Sequence, residues 1–159
     1  MVAPHFCNVD LDIESKYDLA VLEAELGRNV FVLTRGPASP RCFLLRLETV
    51  PEYDNPDDTI CAFCSSLEQL SAKGRRAWRS AHKKEFDVGY EAVQSHIAGQ
   101  SHIAGQFSLR TDTLKRMSNL GATLGVTFYH HPTNATSAPA KAAPPNRKGK
   151  RKSSPAHNG

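Results

Sequence analysis

Apolar and polar positions between residues 107 and 129 follow two different periods. At both ends of this stretch the apolar residues recur at every second position, which is typical of a strand, and between them they recur at helical spacing. Thr111 is a suitable N-cap for the helix, and Gly121 is a suitable left-handed residue at its C-terminus. We therefore predict a strand, a helix and a second strand here. The second strand is expected to be central, and its core-facing residues are Leu124, Val126 and Phe128.

A similar pattern begins at Leu11, where alternation gives way to a helical face formed by Leu19, Leu22 and Leu26. Gly27 follows this helix as Gly121 follows the later one, and a new strand begins close behind it. The repeated pattern suggests an internal duplication of a strand-helix-strand unit. Two such units in one chain favour a sheet that is covered by helices.

The rest of the first 131 residues divides into short periodic segments. Asn55 followed by Pro56 and two aspartates is a clear helix start, because asparagine caps, proline suits the first turn and carboxylates suit the helix dipole. The tandem hexamer at residues 95–106 is expected to form an extended hairpin connection. The remaining predicted elements are strands at residues 8–14, 30–35, 41–49 and 85–93, helices at 17–26 and 71–84, and a turn at 36–40.

These elements predict an α+β fold. We expect a two-layer sandwich in which a mixed sheet of about six strands carries its helices on one face. The globular domain is expected to span residues 1–131. Residues 132–159 are rich in proline, alanine and serine and lack apolar periodicity, so we expect a disordered tail.

The net charge of +4 is distributed unevenly along the chain. Six lysines and arginines and no acidic residue follow residue 131, which leaves 14 basic against 16 acidic side chains, a net charge of −2, in residues 1–131. The predicted domain is therefore mildly acidic, and the basic character belongs to the tail.

The sequence favours a cytoplasmic protein with reduced thiols. No apolar run reaches the roughly 20 residues that span a bilayer, and the N-terminus does not have the pattern of a secretory signal. Four cysteines in such a chain are expected to remain free. We expect no membrane association, and the oligomeric state is left open.

Cys61 and Cys64 form a CxxC motif, which could serve as a thiol or metal site. The motif lies one turn inside a predicted helix, behind Asp57 and Asp58, whose charges should raise the thiol pKa values and not lower them. A zinc site needs about four ligands, and no second CxxC is present. We therefore predict one core cysteine, Cys64, and one beside it, with no metal, cofactor or catalytic residue, and keep the thiol or metal site as a second alternative.

Binding of nucleic acid is the first alternative function, and clusters of basic residues suggest it. The tail cluster is Arg147, Lys148, Lys150, Arg151 and Lys152, and the predicted basic helix carries Arg75, Arg79 and Lys83 as a stripe. Dense basic runs attract nucleic acid without sequence specificity. A tail that only solubilises the protein and a helix face that is only solvated explain the same residues.

An acidic sheet face is the preferred site. Strand periodicity places Asp10, Asp12, Glu14, Asp87, Glu91 and Tyr129 on the side of the sheet away from the helices. Gly89 and Gly125 would leave that face flat enough for another backbone or ring to approach. We expect a non-enzymatic domain that binds a protein partner through this face, or its own basic tail when free. An ordinary solvated face explains the same pattern.

The chain resembles an uncharacterised group of bacterial α+β domains of unknown function in its order of elements and in three short motifs. These motifs are Leu120-Gly121-Ala122, Val126-Thr127-Phe128-Tyr129 and Phe86-Asp87-Val88-Gly89-Tyr90. The resemblance covers roughly residues 6–130. It implies an α+β fold and a bacterial cytosolic setting, and it supplies no catalytic residues. Some small domains of this style bind partner proteins, which is an analogy of fold only.

Overall fold

The computed structural model describes residues 5–92, 95–97, 100–102 and 107–130. It contains a mixed five-stranded sheet, a separate two-stranded hairpin and four α-helices, which confirms the α+β class. The strands are β1 His5–Ser15, β2 Val30–Ser39, β3 Cys42–Thr49, β4 Lys83–Ala92, β5 Ser95–Ile97, β6 Gln100–His102 and β7 Thr123–His130. The helices are α1 Ala20–Leu26, α2 Pro56–Glu68, α3 Ala72–Ser80 and α4 Thr111–Leu120.

The sheet order is β2-β3-β1-β4-β7, so the N-terminal strand lies in the middle. β1 is antiparallel to both of its neighbours, whereas β4 and β7 run parallel and are joined by a crossover that contains α4. The prediction that the last strand is central is therefore wrong. β7 pairs on one side only, and its apolar residues Leu124, Val126 and Phe128 remain 38%, 40% and 43% exposed.

Strand alternation builds the hydrophobic core. The fully buried strand residues occupy every second position, and they pack against apolar residues of all four helices. The strand residues are Val9, Leu11, Ile13, Leu45, Leu47, Phe86 and Val88. Trp78 of α3 joins them, and its indole N–H donates to the carbonyl of Leu120 at 2.9 Å.

Local signals at the helix ends were predictive. The side chain of Asn55 accepts a hydrogen bond from the backbone N–H of Asp58, with Pro56 in the first turn, so this cap is confirmed. Gly121 is left-handed, with φ 66°, and closes α4. The predicted Thr111 cap is wrong: Arg110 holds the N-cap position, without a side-chain cap hydrogen bond.

The internal duplication is not complete in the structure. Residues 107–110 form no strand, so the second unit lacks its first strand and β7 pairs with β4 instead. β1 and β2 of the first unit are separated in the sheet by β3. The two units share a helix that ends at a glycine with positive φ, Gly27 and Gly121.

Other boundaries differ from the predictions as well, and α1 begins at Ala20 and not at residue 17. β2 continues to Ser39 and pairs with β3 through the predicted turn at residues 36–40, which leaves only Pro40 and Arg41 between the strands. The predicted helix at residues 71–84 ends at Ser80, and the chain enters β4 at Lys83.

The hairpin prediction for the tandem hexamer is confirmed, because β5 and β6 pair antiparallel within it. The predicted tail at residues 132–159 lies outside the described residues. None of the helices in the described ranges has the length and apolar character to cross a membrane.

Candidate functional site

The side chains opposite the core form what we call the acidic face. The register places Asp10 beside Asp87 of β4, and Asp12 between Arg46 of β3 and Glu85 of β4. Seven carboxylates lie on this face against the cations of Arg46 and Lys83. The carboxylates belong to Asp10, Asp12, Glu14, Glu48, Glu85, Asp87 and Glu91. The predicted site residues Asp10, Asp12, Glu14, Asp87, Glu91 and Tyr129 therefore share one face.

Asp12 is neutralised within the fold. Its carboxylate accepts two hydrogen bonds from Arg46, at 2.6 Å and 2.7 Å, and only 4% of the residue is exposed. Asp10 is 8% exposed, and its carboxylate lies 3.8 Å from the same guanidinium. The expectation that both aspartates offer an open contact surface is therefore wrong, because neighbouring side chains cover them.

Asp10 has an unusual titration. Its pKa is raised from 3.8 to about 6, first by burial and then by repulsion from Glu48. The amide of Asn8 donates to Asp10 at 2.9 Å and to Glu48 at 2.7 Å, and so holds two repelling carboxyl groups together. A carboxyl group in this environment ionises more readily when a cation approaches the face.

Lys83 belongs to the acidic face and not to a basic helix. Its ammonium lies 3.7 Å from Asp12, 3.7 Å from Glu14 and 3.2 Å from Glu85. The predicted stripe of Arg75, Arg79 and Lys83 is therefore wrong, because α3 ends before Lys83. Within α3, Arg75 donates to the carbonyl of Leu70 in the link between α2 and α3.

The two glycines of the face serve packing inside the domain. A Cβ at Gly89 would lie 2.5 Å from the side chain of Asn8 and 2.9 Å from the ring of Tyr129. A Cβ at Gly125 would lie 3.3 Å from Glu85. The expectation that these glycines leave flat space for a partner is wrong, since the protein's own side chains fill that space.

A groove of about 840 Å³ continues the acidic face at one end of the sheet. Glu48, Glu52 and Asp54 bring three carboxylates to it, and Tyr53 and Tyr129 bring two aromatic rings. The two tyrosines are 37% and 46% exposed. Among the described residues, none forms an ion pair with Glu48, Glu52 or Asp54, so their charge is available to a ligand.

The groove that Glu48, Glu52, Tyr53 and Asp54 line was not predicted from the sequence. Residues 50–55 link β3 to α2, and a loop carries no periodicity that shows where its side chains gather. The only available signal was local: an aromatic residue between two acidic ones just after a strand.

The CxxC cysteines lie inside α2, away from the acidic face. Cys64 is fully buried, and burial raises its pKa to about 11, which opposes thiolate chemistry at neutral pH. Cys61 contacts the hydroxyl of Thr113 at 3.1 Å and the guanidinium of Arg110 at 3.4 Å. In the described part of the chain, a different set of three potential metal ligands converges: Glu14, Cys42 and His82.

No protein family model, curated protein or solved structure matches this chain. The bacterial setting implied by the resemblance of the short motifs stays a prediction. The geometry of the acidic face and its groove is thus the basis for a functional proposal.

Proposed function

We propose that this protein is a non-enzymatic binding domain that captures a basic segment of a protein partner on its acidic face, with a lysine or arginine anchored in the groove. The observation that carries the proposal is the groove itself, where Glu48, Glu52 and Asp54 line the same space as the exposed Tyr53 and Tyr129. Carboxylates bind cationic side chains through charge-assisted hydrogen bonds, and aromatic faces attract the same cations.

The rest of the face extends this chemistry. Asp87 accepts from the hydroxyl of Thr127 at 2.8 Å and 3.0 Å, which holds the carboxylate in place without neutralising it. The acidic face keeps more negative than positive charge, since Arg46 and Lys83 are shared among several carboxylates. Such a field increases the rate at which a basic segment is captured.

A two-layer arrangement belongs to this proposal, with the helices on the side of Leu11 and Leu45 and the acidic face on the other side.

A binding domain is favoured over an enzyme by the chemistry of the groove. Its polar side chains include three carboxylates and two phenols beside His5 and Cys7. The Cys7 thiol donates to the backbone carbonyl of His5 at 3.7 Å and not to its imidazole, so the described groove residues contain no hydrogen bond between a nucleophile and a base.

The affinity of the full chain for a fluorescent lysine- and arginine-rich peptide tests the proposal. The triple variant Glu48→Gln, Glu52→Gln and Asp54→Asn should bind roughly 3- to 150-fold more weakly, because three lost ion pairs of roughly 0.2–1 kcal/mol each sum to about 0.6–3 kcal/mol. The matched control, Asp18→Asn with Glu23→Gln and Asp112→Asn, removes the same charge outside the acidic face. It should bind as the wild type does.

Equal weakening in both triple variants would show that only the net charge matters, and the groove proposal would then be wrong. Wild-type affinity in the groove variant would exclude the groove directly. Far-UV circular dichroism of both variants establishes that the comparison is between folded proteins.

Nucleic acid is the second candidate ligand. It is supported by the six basic residues that follow residue 131 without an acidic residue among them. In α3, Lys73, Arg75, Arg76 and Arg79 are exposed as well. This candidate uses parts of the chain other than the acidic face, so deletion of the tail separates the two functions.

A further inference from the structure

We propose that Glu14, Cys42 and His82 form a binding site for a zinc-like divalent transition-metal ion. One ligand atom from each residue lies within 4.8 Å of the other two. Carboxylate oxygen, thiolate sulfur and imidazole nitrogen are the three donor types that Zn²⁺ accepts from proteins. The site lies at the opposite end of the acidic face from the groove, and it does not depend on the proposed partner.

Three strands position these ligands. Glu14 lies on β1 opposite Leu44 of β3, and Cys42 is two residues from Leu44, so both side chains are on the same side of the sheet. His82 comes directly before β4, and its backbone N–H donates to the carbonyl of Glu14 at 2.9 Å. The ligands therefore rest on paired backbone segments, which is the rigid support that a metal site needs.

The separations suit a tetrahedral ion. Cys42 Sγ lies 3.6 Å from Glu14 Oε2, and His82 Nε2 lies 3.7 Å from the same oxygen. A tetrahedral ion with ligand bonds of about 2.0–2.3 Å needs its ligands about 3.3–3.6 Å apart. The two separations from Glu14 Oε2 are within a few tenths of an ångström of this range, and all three ligand atoms lie within 4.8 Å of one another.

The two carboxylate oxygens of Glu14 have different neighbours. Oε1 lies 3.7 Å from the ammonium of Lys83, whereas Oε2 faces the thiol and the imidazole. Lys83 can thus orient the carboxylate while Oε2 binds the ion. Binding breaks the S–H bond of Cys42, forms a metal–sulfur bond and releases the proton to solvent.

Three protein ligands leave a fourth position for water or for an incoming group. An open position distinguishes this arrangement from a closed structural zinc site. The neighbourhood also keeps a negative balance, because the ammonium of Lys83 is shared by Asp12, Glu14 and Glu85.

Titration of the full chain with Co²⁺ tests the site, because a cobalt–thiolate bond gives a charge-transfer absorption band. We expect this band in the wild type and its removal by Zn²⁺. Cys42→Ser should abolish it, and His82→Gln should weaken Co²⁺ binding by more than about 100-fold, since even outer-shell partners of a metal change affinity about 10–100-fold.

The chain offers matched controls. Cys7→Ser and His5→Gln change the same residue types at the far end of β1, and Cys61→Ser removes a thiol of the CxxC motif. All three should retain the band. The proposal is overturned if wild-type protein shows no cobalt–thiolate band, if the band survives in Cys42→Ser, or if it disappears in Cys61→Ser.

A second measurement distinguishes loss of the metal site from loss of structure in the variants. Zn²⁺ should raise the Tm of the wild type and of Cys7→Ser, because an ion that binds only the folded state stabilises it. It should leave the Tm of Cys42→Ser unchanged. An equal rise in Cys42→Ser would contradict the proposal.

Discussion

The ionised carboxyl group of Asp10 lowers the free energy of unfolding of the domain. A carboxyl group whose pKa is raised to about 6 is held in an environment that disfavours its charged form at neutral pH. Natural proteins keep such unfavourable groups mainly where function requires them. The side chain is 12% exposed, so solvent does little to relieve this cost.

The first prediction follows from the pH dependence of Asp10. Because its folded pKa lies above the ordinary 3.8, the folded state binds more protons than the unfolded state between about pH 4 and 6. This carboxyl group therefore destabilises the fold as the pH rises through that window. Asp10→Asn should raise the free energy of unfolding at pH 7 by about 2–3 kcal/mol, with the gain shrinking towards pH 4.

Urea unfolding of wild type and Asp10→Asn at several pH values measures this difference. A gain that stays constant from pH 4 to pH 7 would show that the substitution acts through packing and not through ionisation. A loss at pH 7 would contradict the unfavourable environment assigned to the charge.

The second prediction concerns the ion pair between the buried carboxylate of Asp12 and Arg46, whose side chain is 40% exposed. Arg46→Met should lower the free energy of unfolding by about 2–3 kcal/mol, because it leaves the covered carboxylate with only the more distant Lys83. Arg35→Met is the control, since it breaks an exposed pair with Glu23 that should contribute less than about 1 kcal/mol. Equal losses in the two variants would mean that Asp12 is better solvated than its burial indicates.

The sequence placed individual side chains on the correct side of the sheet. Alternation along β1 was sufficient to assign Asp10, Asp12 and Glu14 to the face away from the core. It could not show that Asp10 and Asp12 are covered, because cover comes from neighbouring strands. The groove and the cluster of Glu14, Cys42 and His82 could not be predicted, because each combines side chains from segments that are distant in the sequence.

Among the elements, the helix ends were predicted best and the strand order worst. Caps depend on residues close in sequence, as Asn55 and Gly121 show. Strand order depends on pairing between distant segments, and local patterns do not encode it. The apolar stripe of β7 was therefore taken as the mark of a central strand, although the strand lies at the edge.

The third prediction tests the end of α4. Gly121→Ala should lower the free energy of unfolding by about 1–2 kcal/mol, because an L-residue with a side chain is strained at a left-handed position. Ser118→Ala, at an exposed position of the same helix, should change it by less than about 0.5 kcal/mol. Thermal or urea unfolding measures both, and an unchanged stability in Gly121→Ala would contradict the left-handed cap.

Across the chain as a whole, charge is separated along the sequence. The acidic face lies in the described domain, and the densest basic run follows residue 131. This separation supports either binding to an external partner or contact between the tail and the face.

The fourth prediction concerns the tail. The full chain should bind duplex DNA weakly, with a log–log salt slope of roughly −0.9 for each phosphate neutralised, and deletion of residues 141–159 should abolish binding. Electrophoretic mobility shifts at several salt concentrations measure this. If the truncated protein binds DNA as well as the full chain does, the tail is not the binding site and α3 becomes the candidate. The double variant Arg75→Gln with Arg79→Gln would then test that helix.

Chemical-shift mapping tests the partner surface most directly. A lysine- and arginine-rich peptide is titrated into the ¹⁵N-labelled full chain, and a peptide with glutamine at every basic position serves as the control. We expect the basic peptide to shift the amides of Asn8, Glu48, Tyr53 and Tyr129 in a saturable way, while the control peptide leaves them in place. Shifts confined to α3 and the other helices, or the absence of saturable shifts on the acidic face, would contradict the proposed function.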